Sequence, residues 1–430
     1  MSSHRGTDGV VIAGAGVAGA QTAVALRERG YGGPVVIVGA EPHRPYDRPA
    51  LSKGVLMGTA QDPAYDIDFD ALDVELRLGV EVTGLHPRTR TLDTTAGPVP
   101  YRTLVLATGA EPVPLPGADG VHLLRTLTDA RRLRSVLAER RDVVVVGAGW
   151  IGAELTGVAR ASGCAVTVVE AADRPLAGSL PAEATAPMAD WYAQAGAELL
   201  LGARVSAYER GAVVLADGRR LTTDAVVAGV GARPATAWLA GSGIALGPDG
   251  SVTADDRLRT SLPDVYAVGD CASFPSARFG TRLLVHHWDN ALHGPRTVAA
   301  GITGGAPDPY DPVPYFWSEQ FGRHVQYAGH HAAADTVVRR GKSTDTEWAV
   351  LWLRDGVPVA LLTVNRPRDL AQGRKLIGVG ARVDAARAAD PSVPLKATVI
   401  APARAQGPGE GPARPDSTFR ADQVFSGQSL

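Results

Sequence analysis

The stretch Val143-Val-Val-Val-Gly-Ala-Gly-Trp-Ile-Gly-Ala-Glu154 constrains this chain more than any other. Four consecutive valines read as a strand buried on both faces, as parallel sheets require. Gly147, Gly149 and Gly152 then stand at the spacing of the dinucleotide fingerprint. The first allows a tight turn, the second lets backbone approach a pyrophosphate, and the third lets the following helix lie close to the strand. The first N–H groups of that helix have no partner inside it and are offered to phosphate. A second strand, Ala165-Val-Thr-Val-Val-Glu170, ends in an acid 18 residues beyond Gly152, where a carboxylate suits the two hydroxyls of a ribose.

The same pattern occurs near the start, in Gly9-Val-Val-Ile-Ala-Gly-Ala-Gly-Val-Ala-Gly-Ala20. Gly14, Gly16 and Gly19 follow a short apolar strand and precede Gln21 to Arg29, which reads as a helix. The next strand, Pro34 to Gly39, runs into Ala40-Glu41, again with an acid near the expected distance. Two cradles 133 residues apart suggest two different dinucleotides, and a chain that holds both is most simply passing electrons between them; an internal duplication is the alternative, and it too leaves two sites to fill. An α/β fold with two Rossmann-like units is therefore expected.

Composition agrees with that scale. The 430 residues, 45% of them hydrophobic, are enough for two or three domains. A net charge of −2 gives no reason to expect nucleic acid as a partner. No run of about 18 apolar residues offers a membrane span, and the polar start from Met1 to Gly9 has no signal-peptide pattern. A cytoplasmic protein is expected. Cys164 and Cys271 form neither a Cys-x-x-Cys pair nor a disulfide framework, and no metal-ligating set is identified. Of the 43 basic residues only Lys53, Lys342, Lys375 and Lys396 are lysines, which makes each one conspicuous.

The loop Glu41 to Gly54 is too rich in proline for regular structure and too charged to be buried without partners. Within it, Pro45-Tyr-Asp-Arg-Pro-Ala-Leu-Ser-Lys53 resembles a segment of the FAD-dependent NADH:ferredoxin reductases of cytochrome P450 and dioxygenase systems. The resemblance continues, in the family's order, through Leu104 to Ala110, Leu124-Arg-Thr-Leu-Thr-Asp-Ala130 and Ile151-Gly-Ala-Glu154. It then takes in Gly229-Val-Gly-Ala-Arg-Pro234, Val265-Tyr-Ala-Val-Gly-Asp-Cys-Ala272, Phe316-Trp-Ser-Glu-Gln320, Val364-Asn-Arg-Pro367 and Val393-Pro-Leu395. It covers about 390 residues.

The resemblance implies the pyridine nucleotide-disulfide oxidoreductase fold, with a third α+β domain at the C-terminus. Residues 1–118 and 250–312 would form a discontinuous FAD domain, 119–249 the NAD domain, and 313–401 the reductase domain. From 402 to 430 the composition turns to Gly, Pro, Ala and Arg, and a disordered tail is expected.

The implied chemistry is hydride transfer from NADH to FAD, then single-electron delivery to a ferredoxin or other small iron-sulfur protein. Such a step needs alignment more than a protein acid or base. Lys53 is the first candidate for tuning the flavin, and the resemblance pairs it with Glu154. Trp317 resembles the aromatic that flanks the flavin. Around FAD the family positions map onto Gly14, Gly16, Ala18, Gly19, Arg48, Val82, Arg134, Asp270 and Trp288, and either Glu41 substitutes for the ribose acid of the family or that contact is absent. Around NAD they map onto Gly147, Gly149, Ile151, Gly152, Glu170 and Gly231. Two departures stand out: Ala40 replaces an acid that many relatives use on the FAD ribose, and His286 replaces another acid.

Further expectations concern specificity and partners. Glu170 favours NADH over NADPH, with Arg174, four residues on, as the complication. Arg366, Arg368, Arg374 and Lys375 offer a basic face to an acidic ferredoxin, and a monomer or weak homodimer is expected. Disulfide reductases of the same fold need a cysteine pair that this chain lacks. NADH peroxidases and oxidases need a cysteine where His43 to Arg48 stand. The rival from another class is a flavoprotein resembling apoptosis-inducing factor, with slow turnover and a structural or signalling role. Turnover with NADH and a one-electron acceptor separates the two.

Overall fold

The structure, a computed structural model, describes residues 9–400 except 61, 114, 116, 118, 119 and 140. The tail expected from residue 402 lies outside the described residues. Val10–Ala13 is buried throughout and sits at the centre of a five-stranded sheet. Its neighbours are Val35–Gly39 on one side and Thr103–Leu106 on the other, with Val74–Leu78 and Val265–Ala267 at the two edges. Every pairing in this sheet is parallel. The edge strand Val265–Ala267 arrives after the whole second unit, so the chain leaves this sheet and returns to it. The first helix runs from Val17 to Glu28, earlier than Gln21, because Gly16 in extended conformation already serves as its cap. It packs against the helix Trp288–Ile302, which the returning chain supplies.

The valine strand Val143–Val146 is the centre of a second parallel sheet, between Val166–Val169 and Ala225–Ala228, with Glu198–Leu200 beyond. Both faces of the four valines are buried, which is why the run shows no polar alternation. The outgoing strand Ala110–Pro112 pairs antiparallel with the incoming Ala232–Pro234, so both passages between the two units share one ribbon.

The last part is a five-stranded antiparallel sheet in the order Tyr315–Gln320, Arg323–Gly329, Val357–Val364, Trp348–Arg354, Thr336–Arg340. Helix Pro367–Val379 packs on it. Pro358 is tolerated inside a strand because it sits where the register shifts beside Leu353. The proline-rich loop after the first unit is more regular than its composition suggests. Arg48–Ser52 forms a 3-10 turn, with Pro49 in the first turn, where its missing N–H costs nothing.

Candidate functional site

Both cradles have the geometry that their glycines predict. Gly14 has φ 119°, and a Cβ there would lie 2.1 Å from the carbonyl oxygen of Ala107. A Cβ on Gly19 would lie 1.9 Å from the oxygen of Gly14, so any side chain would push the helix off the strand. Gly147 and Gly152 repeat this, with Cβ contacts of 2.6 Å to Gly229 and 2.0 Å to Gly147. Gly16 differs in that nothing lies within 4 Å of its Cβ position. The space over it is open, and its helix starts without a side-chain cap, as does the helix after Gly149. Uncapped N–H groups beneath open space fit a pyrophosphate.

The two cradles open into one cavity of about 1670 Å³. Gly14, Gly16, Ala18, Glu41, Arg48, Lys53, Val82, Asp270 and Trp288 line it from the first unit. From the second unit come Gly147, Gly149, Ile151, Glu154, Glu170 and Gly231, and from the C-terminal sheet Trp317. Gly19 and Gly152 lie behind the cradles, as their packing role requires.

Arg134 does not belong to this group. It is exposed on helix Leu127–Ala138, and its guanidinium lies over Gly58. The arginine that does line the cavity is Arg125, which sits just before Thr126, the cap of that same helix. Its guanidinium is 3.7 Å from the Asp270 carboxylate, and its carbonyl accepts a bond from Arg48 at 2.6 Å. Burial first, and then the nearby Arg48, pull the Arg125 pKa down, so an anion placed here would relieve the pair. Arg125 stood inside the motif Leu124 to Ala130, and its position before a helix cap was the available signal.

Glu41 is already engaged. Its carboxylate pairs with Arg48 at 2.9 Å and accepts from the Tyr46 hydroxyl at 2.8 Å. It therefore braces the proline-rich loop as well as lining the cavity. Ala40, its neighbour, lines the same wall.

Lys53 and Glu154 meet at 2.8 Å although 101 residues separate them. Glu154 is buried at 5% exposure, and its carboxylate takes four donors. Oε2 accepts from Lys53 Nζ and Ser52 Oγ, whereas Oε1 accepts from Ser318 Oγ at 2.7 Å and the Glu319 N–H at 3.2 Å. Neither serine was among the expected site residues. Trp317 meets Trp288 edge to face at 5.7 Å, and the Trp288 indole donates to the Tyr65 hydroxyl at 3.3 Å.

His286 lines the cavity with its Nε2 buried and unpartnered. Its neighbour His287 stacks on Phe316 at 4.2 Å. Burial, reinforced by His286, pushes the His287 pKa down to about 3, so that ring is neutral across the working range.

In the second unit the Glu170 carboxylate accepts the N–H of Ala148 at 2.7 Å and of Ala172 at 2.8 Å, which fixes it at the strand end against the glycine turn. Arg174 pairs with Asp173 at 2.8 Å, and the cavity wall does not include it.

Comparison with known proteins gives a consistent picture. Residues 8–294 match the family described as pyridine nucleotide-disulphide oxidoreductase, and residues 315–399 match the reductase C-terminal family. The chain is 38% identical to the 5,5'-dehydrodivanillate O-demethylase ferredoxin reductase subunit of Sphingobium sp., over 90% of this chain and 97% of that protein. It is 35% identical to the ferredoxin–NAD(+) reductase component of the anthranilate 1,2-dioxygenase system of Burkholderia cepacia, over 90% and 98%. Among solved structures, the reductase of the covalent putidaredoxin reductase–putidaredoxin complex superposes with a TM-score of 0.85 at 31% identity, over 91% of this chain and 98% of that one.

Proposed function

This chain belongs to the pyridine nucleotide-disulphide oxidoreductase family, in its ferredoxin reductase branch, and on that footing we propose that it takes hydride from NADH onto FAD and delivers single electrons to a ferredoxin. The ferredoxin would serve a P450 or a dioxygenase. The observation that carries this reading is the convergence of two dinucleotide cradles on one cavity, with the Lys53–Glu154 pair in its wall. FAD supplies the chemistry that converts a two-electron donor into single-electron steps.

The chain's own residues divide the remaining work. The first cradle with Arg48, Arg125 and Asp270 would hold FAD, the open space over Gly16 and the arginine pair being what a pyrophosphate needs. The second cradle with Glu170 and Gly231 would hold NADH. Lys53 presents a cation to the cavity, and Trp317 and Trp288 cover its apolar side. The discontinuous division into 1–118 with 250–312, 119–249 and 313–401 is supported by the strand Val265–Ala267 that returns to the first sheet. No helix among the described residues is long and apolar enough to cross a membrane. We place the protein in the cytoplasm, as a monomer or weak homodimer.

The purified protein is expected to be yellow, with a single FAD per chain that NADH reduces under anaerobic conditions. Lys53→Met should slow that reduction by roughly tenfold or more, because the cavity loses its cation, and should also lower the melting temperature, because the buried Glu154 carboxylate loses its cationic partner. A preparation that carries no flavin and takes none up in titration would overturn the reading.

The docking face is narrower than its basic residues suggest. Arg366 pairs with Asp369, and Arg374 pairs with the buried Asp289 at 2.8 Å, so both charges are spent internally. Arg368 and Lys375 are exposed. Turnover with an acidic ferredoxin should show a KM that rises several-fold with salt, and Lys375→Glu should raise it further than Arg366→Glu. A KM independent of ionic strength would argue against electrostatic docking.

A further inference from the structure

The Glu154 carboxylate divides its two oxygens between two distant parts of the chain. Oε2 faces the proline-rich loop, through Lys53 Nζ at 2.8 Å and Ser52 Oγ. Oε1 faces the C-terminal sheet, through Ser318 Oγ at 2.7 Å and the Glu319 N–H at 3.2 Å. Tyr315–Gln320 is the edge strand of that sheet, so the N–H of Glu319 would otherwise be unpaired, and Glu154 covers it. Ser318 is 1% exposed and takes a bond from Gln320 Nε2 at 3.3 Å. With its acceptor side used, the single hydroxyl proton is committed to Glu154.

Two donors from one strand prevent the carboxylate from turning about its own axis. Were it to turn, Oε2 would move, and with it the ammonium of Lys53, which lines the cavity. We propose that Ser318 is a positioning residue: by holding Oε1 of Glu154, it fixes Oε2 and so sets where the Lys53 cation stands in the cavity, with Ser52 acting on the other oxygen. The C-terminal sheet thus helps build the hydride-accepting site from behind. The proposal rests on the function given above for its kinetic consequence, but the hydrogen-bond geometry is independent of it.

The test uses the FAD-loaded full-length protein. In anaerobic stopped-flow reduction at varied NADH, Ser318→Ala should lower the limiting rate constant roughly tenfold while the dissociation constant for NADH stays within about twofold. In a Glu154→Gln background the same change should alter the limiting rate by less than about twofold, because the two side chains act as one unit. A second readout needs no turnover: in the oxidised protein, the Glu319 amide should exchange with deuterium several-fold faster in both Ser318→Ala and Glu154→Ala. Ser52→Ala probes the opposite oxygen and should slow reduction without changing Glu319 exchange, which keeps the idea testable if Ser318→Ala is poorly folded.

An unchanged limiting rate in Ser318→Ala, or an undiminished effect of Ser318→Ala in the Glu154→Gln background, would overturn the proposal. A wild-type protein that NADH does not reduce would instead overturn the function, and the exchange measurement would still decide whether Ser318 positions Glu154.

Discussion

NADH should be a better donor than NADPH by roughly two to three decades in kcat/KM, and Glu170→Ala should erase most of that difference. The acid ends the strand Val166–Val169, and its two oxygens are tied to the N–H groups of Ala148 and Ala172. It cannot swing away without losing both bonds. A ribose diol can donate to such a carboxylate, whereas a 2′-phosphate brings like charges together. At about 4 Å and an effective dielectric near 20, that repulsion is of order 4 kcal/mol, which water relieves in part. Arg174 is the residue able to soften the preference, but it pairs with the exposed Asp173 at 2.8 Å and does not line the cavity. Steady-state kinetics with the two nucleotides decide the matter. Equal kcat/KM values, or a ratio untouched by Glu170→Ala, would refute the assignment of Glu170.

Arg340→Met should lower the apparent melting temperature of the C-terminal part by roughly 10 °C. Arg340 is 1% exposed and ends the edge strand Thr336–Arg340. Its guanidinium pairs with Asp369 at 2.8 Å on the helix Pro367–Val379. It also donates to the carbonyls of Ala388, Asp390 and Val393, so one side chain ties the sheet to everything that follows. Breaking a buried pair of this kind costs about 3 to 5 kcal/mol. Asp369 keeps Arg366 as a partner, but the three carbonyls lose their charged donor, and that of Ala388 is buried. Hydrogen exchange should rise first in residues 385–398, with the FAD still bound. A melting temperature within about 2 °C of wild type would show that the network contributes little.

The contrast between Arg125 and Arg134 illustrates how far a pattern reaches. Arg125 stands just before the cap of helix Leu127–Ala138 and within the motif Leu124 to Ala130, whereas Arg134, which the resemblance maps onto the FAD site, lies in the second half of that helix. The separation between them places Arg134 on the outer face of helix Leu127–Ala138, over Gly58. Arg125 precedes the cap, and its guanidinium lies 3.7 Å from the Asp270 carboxylate. The basic cluster shows the same limit of local pattern: Arg366 and Arg374 each lie beside a buried carboxylate, Asp369 and Asp289, and the Arg374–Asp289 pair joins residues 85 positions apart.

What the amino-acid sequence alone determined is what backbone sterics and short spacing control: the two glycine cradles, the buried valine strand and the acid at the end of the second strand of its unit. Those features depend on residues a few positions apart, where a positive φ or a missing Cβ leaves little choice. Only the tertiary structure decided how the carboxylate of Glu154 is held. Its partners Ser52, Lys53 and Ser318 lie 102, 101 and 164 residues away, and no local periodicity links them. They meet because a loop from the first unit and the edge strand of the last sheet pack against the same helix, and side-chain hydrogen bonds are satisfied only after that packing is complete.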